Sequence, residues 1–175
     1  MMKTTFSLPA RVLHWVMAAM IVAMLFIGVG MVASVSERHA VLVAIHKPLG
    51  VAVLVLVCLR VVVRLSSRAP ALPGDLPGWQ KAAAHGSHLV MYALMVAMPV
   101  IGWAMLSAGG YPVTLGGGVQ LPAIVAADPV AFAWLRNAHR WVAYLFFATF
   151  LAHFAAALYH GLVRRDGVLR AMVGR

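Results

Sequence analysis

From Asn137 to Val163 the chain is predominantly apolar over the width of a membrane, yet this run carries His139, His153 and His160. Read as a helix, the fourteen residues between the first two return nearly to the same face at about 100° per residue, after a rise of roughly 21 Å. One helix face therefore carries two imidazoles near opposite membrane surfaces. A strongly polar group in the hydrocarbon region is costly, so it normally faces the bundle interior and serves a function.

Three further apolar stretches are long enough to cross about 30 Å of hydrocarbon. With 63% hydrophobic and only 10% charged residues and a mean hydropathy of +0.93, the chain lies far from soluble proteins, in which about a quarter of residues are charged. The expectation is an all-α integral membrane four-helix bundle, one domain over residues 1–175, with spans near 8–34, 40–65, 79–107 and 130–163. The single cysteine, Cys58, rules out an intramolecular disulfide, a thiolate cluster or a CxxCH haem attachment. Any metal must then be held by histidine.

The net charge of +10 does not point to nucleic acid, because the basic residues flank the spans rather than line one face. They follow the positive-inside pattern. With a cytoplasmic N-terminus, Lys3, Arg11, Arg60, Arg64, Arg68, Lys81, Arg164, Arg165, Arg170 and Arg175 fall on the cytoplasmic side, and Arg38, Lys47, Arg136 and Arg140 opposite. Both termini are expected in the cytoplasm. The first apolar run is too long for a signal-peptide core and lacks a small-residue cleavage site, so it reads as a retained span.

Span one begins at Leu8 with Pro9 in its first turn, where a missing N–H is no loss. Its strongly polar residue is His14, toward the cytoplasmic end. Span two carries His46 near its outer end and Arg60 and Arg64 near its inner end. Residues 66–78, with three prolines and two glycines, read as an inner loop. Span three opens with His85 and His88 and contains Pro99, a kink site unless a neighbour satisfies the freed carbonyl. Residues 109–128 are a Gly- and Pro-rich outer connection, closed by Asp128 as N-cap and Pro129 at the first helical position.

Depth sorts the histidines into two layers: His14 with His153 toward the cytoplasm, His46 with His139 toward the outside. Facing imidazoles at one depth are what six-coordinate haem b requires, and a bundle core is a usual place for it. Gly50 and the run from Ala155 to Ala157 could let a macrocycle approach the backbone. Singly, each histidine could instead hydrogen-bond a neighbouring helix; two matched pairs argue against that. His39 reads as a solvated side chain in a polar turn. His85 and His88 stay open between spare ligand, quinone contact and interfacial residue. His160 is open between proton or quinone chemistry and a structural place, and the eleven methionines read as packing.

The ordered motifs LHW at His14, IHKPLG at His46, HxxHLVMY from His85, PxxGW from Pro99, AHRW at His139 and LAHFAAALYH through His153 and His160 resemble the bacterial cytochrome b561 family over essentially the whole chain. The resemblance implies four helices and two haems b, ligated by His14 with His153 and by His46 with His139, the pairing that depth also suggests. The best-characterised small stand-alone members of that family, which sits in the bacterial inner membrane, are superoxide oxidases. The implied activity is therefore superoxide oxidation at the outer face coupled to ubiquinone reduction in the membrane. His160, Lys81 and His85 are candidates for the quinone site; Lys47, Arg136 and Arg140 could neutralise haem propionates or steer an anion. For Lys81 a snorkelling interfacial role, and for the three outer cations interfacial anchoring, are the plain alternatives.

A second reading is an electron-transfer cytochrome b subunit fed by a periplasmic dehydrogenase or redox protein. A third, a histidine-lined cation transporter, is disfavoured because Glu37, Asp75, Asp128 and Asp166 all fall outside the expected spans, leaving no buried carboxylate for coupling.

Overall fold

The computed structural model of the chain describes residues 5–174; Lys3 and Arg175, counted above among the cytoplasmic charges, lie outside the described residues. Four long helices run up and down: α1 (Leu8–Val32), α2 (Glu37–Ser66), α3 (Gly78–Ala108) and α4 (Pro129–Leu158). All four are long and apolar enough to cross a membrane. At 25 residues α1 is the shortest, and a rise of 1.5 Å per residue makes it roughly 37 Å long. The second helix starts three residues earlier than the sequence suggests, because Glu37, Arg38 and His39 form its first turn. His39 is exposed but not merely solvated: its Nδ1 lies 2.9 Å from the Met31 carbonyl, one of those left over at the end of α1.

Helix α1 packs along α2 and α3 along α4, and the two pairs meet mainly through α2 and α3. The tightest packing is midway along the bundle, where Met17 and Ile21 of α1, Val57 of α2, Leu94 and Met95 of α3 and Phe146 of α4 form one cluster. Lipid tails are as apolar as these side chains, so contact between them, rather than escape from water, holds the helices. In sequence the cluster lies between the two histidine depths on α1 and α4, as an apolar plug between two polar layers.

Two connections are more ordered than expected. In the loop between α3 and α4, β1 (Val113–Thr114) pairs antiparallel with β2 (Gln120–Leu121). The turn uses Gly116, Gly117 and Gly118 at φ 88°, 58° and 82°, values that glycine adopts without a Cβ clash. Trp103 Nε1 donates to the Pro122 carbonyl at 2.9 Å and Lys47 Nζ to that of Pro112 at 3.3 Å, tying this loop over the end of the bundle. Asp128 caps α4 as expected, accepting from Val130 N at 2.8 Å and Ala131 N at 3.2 Å.

At the other end, α4 runs into a π-helical turn, η1 (Tyr159–Arg164), and the chain folds back as a short α5 (Val168–Val173). That return docks on the start of α1: Phe6 N donates to Ala171 O at 3.1 Å, Arg11 Nη2 to Val173 O at 2.8 Å and Trp15 Nε1 to Met172 O at 3.3 Å. Carbonyls that a helix end leaves without partners are thereby satisfied by the opposite end of the chain.

Candidate haem-binding and proton-transfer site

We call the layer nearer the termini proximal and the other distal. His46, ten residues into α2, and His139, eleven into α4, reach the same distal depth because both helices descend from that end. Their ring centroids are 6.3 Å apart with planes at 68°. In the proximal layer His14 and His153 repeat this geometry, at 6.3 Å and 69°. A metal–nitrogen bond of about 2 Å on each side, with about 1.1 Å from nitrogen to ring centre, puts coaxial imidazoles roughly 6.2–6.4 Å apart. The centroid spacing of both pairs matches that of two imidazoles on one iron.

Local chemistry differs between the layers. Nδ1 of His46 is buried with no hydrogen-bond partner among the described residues, so it is not spent on holding a neighbouring helix, whereas the His139 ring faces the Met98 carbonyl of α3. Beside His139 is Gly102 of the PxxGW motif, where a Cβ would come 3.3 Å from His139 Cε1. Gly50 is in ordinary contact, with Met24 Cε 3.7 Å from where its Cβ would be.

The proximal layer holds two groups that sequence reasoning placed incompletely. The ring of His88 lies 5.4 Å from that of His153, too close for an iron between coaxial rings by the same arithmetic. That spacing favours His14 as the partner of His153 and leaves His88 beside the pair. Arg60, counted from sequence only as an inner-surface charge, donates through Nη1 to Ala10 O at 3.1 Å and through Nη2 to His14 Nδ1 at 3.0 Å. A guanidinium can only donate, so His14 Nδ1 accepts here. For a neutral His14 to offer its Nε2 lone pair to iron, the ring proton must sit on Nδ1, and Arg60 must then rely on its Ala10 contact. An arginine within a span was the available signal.

The other candidate residues separate by position. His160 Nδ1 meets Asp166 Oδ2 at 2.6 Å, Arg164 Nε donates to the same oxygen at 2.9 Å, and Arg164 Nη2 reaches Asp75 of the α2–α3 loop at 2.6 Å. Desolvation pushes the Asp166 carboxyl up, but the hydrogen bonds from His160, Arg164 and the Val168 N–H outweigh it and hold it below the ordinary carboxylate range. A cavity of about 230 Å³ opens beside His160, lined also by Gly161, Arg165, Leu169 and Arg170. Lys81 and His85 do not line it: Lys81 Nζ donates to Gly74 O at 3.1 Å and His85 Nδ1 lies 2.7 Å from Lys81 O. At the distal end Arg136 is exposed, and Arg140 bonds Asn137 Oδ1 at 2.7 Å while lying 5.6 Å from the Trp141 ring centre. A second depression, about 500 Å³ beside Pro129, Val130, Trp134 and Asn137, is an open apolar face at the start of α4.

Four spanning helices that face histidines across a bundle at two depths define a membrane cytochrome b scaffold. The chain belongs to the prokaryotic cytochrome b561 family, whose profile matches residues 5–175. It is 26% identical to cytochrome b561 homolog 2 of Escherichia coli K12 over 93% of this chain and 87% of that one. To cytochrome b561 homolog 1 of the same strain it is 25% identical over 97% of each. To a probable superoxide oxidase, CybB, of Yersinia pestis it is 30% identical over 74% of this chain and 73% of that protein. The protein is thus a bacterial membrane electron-transfer protein of the b-haem class.

Proposed function

We propose that this protein is a superoxide:ubiquinone oxidoreductase with two haems b, one held by His14 and His153 and the other by His46 and His139. The observation that carries the reading is the repetition of one 6.3 Å pair spacing at two depths. When bound, each haem supplies a six-coordinate iron that exchanges single electrons and has no open position for oxygen. The residues do the rest. The apolar plug from Met17 to Phe146 keeps water from the path between the layers. The distribution of basic residues supports a cytoplasmic proximal end, with both termini on that side.

At the distal, outer face, Lys47, Arg136 and Arg140 form a cationic rim near His46 and His139 and raise the encounter rate of a small monoanion such as superoxide. At the proximal face His160 supplies protons to ubiquinone, which needs two protons as well as two electrons to become ubiquinol; two superoxide ions give up those electrons and leave as two molecules of oxygen. The kinship with a protein named as a probable superoxide oxidase supports this donor.

The test is twofold. A pyridine haemochrome assay should give about two haems per chain, falling to about one in His139→Ala and in His153→Ala. Reduction of the purified protein by superoxide should slow as salt shortens the Debye length from about 10 Å at 0.1 M to about 3 Å at 1 M, while reduction by a neutral donor stays level. Failure of superoxide to reduce the protein, alongside success of a periplasmic protein donor, would replace this reading with the electron-transfer subunit.

A further inference from the structure

Four features converge where α4 ends. The last turn is π-helical from Tyr159 to Arg164, a rare geometry that recurs at functional sites. Arg165 follows in the left-handed region at φ 54°, a conformation unfavourable for a residue with a Cβ and one often kept where chemistry happens. Leu169 of α5 presses on Gly161 so closely that a Cβ there would collide with its Cδ2, fixing the return of the chain against η1. At the centre, His160 Nδ1 and Asp166 Oδ2 are 2.6 Å apart, within the range of a charge-assisted bond.

Asp166 is fully engaged: Oδ2 accepts from His160 and Arg164, and Oδ1 accepts from Val168 N at 3.3 Å. A carboxylate held this way only accepts, so the His160 Nδ1 that meets it carries a hydrogen. That leaves Nε2 as the ring atom able to exchange a proton, on a residue that lines the 230 Å³ cavity. The cations around the cavity are Arg165 and Arg170; Arg165 Nε donates to Leu162 O at 3.1 Å and Arg170 Nη2 to Arg165 O at 3.3 Å, so neither is neutralised by a carboxylate among the described residues.

We propose that Asp166 is the positioning residue for proton delivery: it locks His160 with Nδ1–H inward, so that Nε2 hands protons to a quinone oxygen seated in the cavity between η1 and α5. This rests on the quinone-reducing reading above and deepens it. The quinone gains two electrons through the bundle and two protons through His160 Nε2 in turn, and each proton is replaced from the aqueous phase. The geometry assigns the quinone head to Arg165 and Arg170, which line this cavity, rather than to Lys81 and His85, which do not. The tie from Arg164 to the exposed Asp75 anchors the pair to the α2–α3 loop.

Positioned acid catalysis contributes about 10²–10⁴-fold, and loss of the orienting partner removes part of that. Asp166→Asn in the full-length haem-loaded protein should keep the haem-to-protein ratio and the visible spectrum and should still be reduced by dithionite. Its kcat with ubiquinone should fall at least tenfold with KM changed less than twofold. His160→Gly should be slower still, and imidazole added to it should restore turnover in proportion to its concentration, which repair of a merely structural defect would not do. Unchanged kcat in Asp166→Asn, or a His160→Gly variant that imidazole does not rescue, overturns the proposal while leaving the quinone reading in place. Wild-type protein that reduces no quinone overturns both.

Discussion

Gly102 on α3 lies against the imidazole of His139 on α4, so that a Cβ at 102 would stand 3.3 Å from Cε1 and 3.6 Å from Nδ1 of that ring. Close approach of a backbone to a functional side chain is what a glycine inside a helix permits. Gly102→Ala should cost about 1–3 kcal/mol by overpacking, and Gly102→Leu should displace the ring and, on the two-haem proposal, lower the haem content from two per chain to one. Gly50→Ala, whose added Cβ meets only Met24 Cε at 3.7 Å, should keep both. Haem-to-protein ratios of the three variants check this.

The histidine planes within the two proposed ligand pairs cross at 69° and 68°. Steeply crossed imidazoles bring the two iron d orbitals that overlap their π systems toward degeneracy. Both ferric sites should therefore give strongly anisotropic low-spin electron paramagnetic resonance spectra at liquid-helium temperature, with one very large g value. An ordinary rhombic spectrum would mean that the rings rotate toward parallel when iron is bound.

Arg60 places a cation beside the proximal pair, hydrogen-bonded at 3.0 Å to His14 Nδ1, with no carboxylate bonded to it among the described residues. A nearby positive charge favours the reduced state of a metal site. In Arg60→Gln the proximal midpoint should drop by roughly 60 mV, a tenfold change for one electron, while the distal midpoint stays put. Potentiometric titration of Arg60→Gln and the unsubstituted protein reads this directly; an upward shift would mean that Arg60 acts by drawing the ring proton off His14.

Because the Asp166 carboxyl is held below its usual range, the stability it contributes is fully present above the unfolded value of about 3.9 and is lost as pH falls through the lower folded value. A spin label replacing Val173 should stay ordered from neutral pH down to about pH 4 and become mobile below it. With Asp166→Asn this acid transition should disappear and the label stay ordered, since the titrating carboxyl is gone while Arg164 keeps its pair with Asp75.

Depth was legible in the sequence because rise along a helix is a fixed distance per residue: the four spans and the two layers holding His14, His153, His46 and His139 follow from counting and from the cost of burying polar groups. The cap at Asp128 was legible for a similar reason, being a local hydrogen bond between neighbours in the chain. Azimuth across the bundle was not, because it depends on how helices distant in sequence pack. Only the tertiary structure set His88 against His153, brought Arg60 from α2 to His14 on α1, and pressed Gly102 against His139. The β-hairpin escaped notice because strands of two residues are too short to show alternation. Sequence also could not foresee that the chain after Arg165 turns back, since contacts of Arg11 and Trp15 with Val173 and Met172 span nearly its whole length and arise only once the bundle has brought its two ends together.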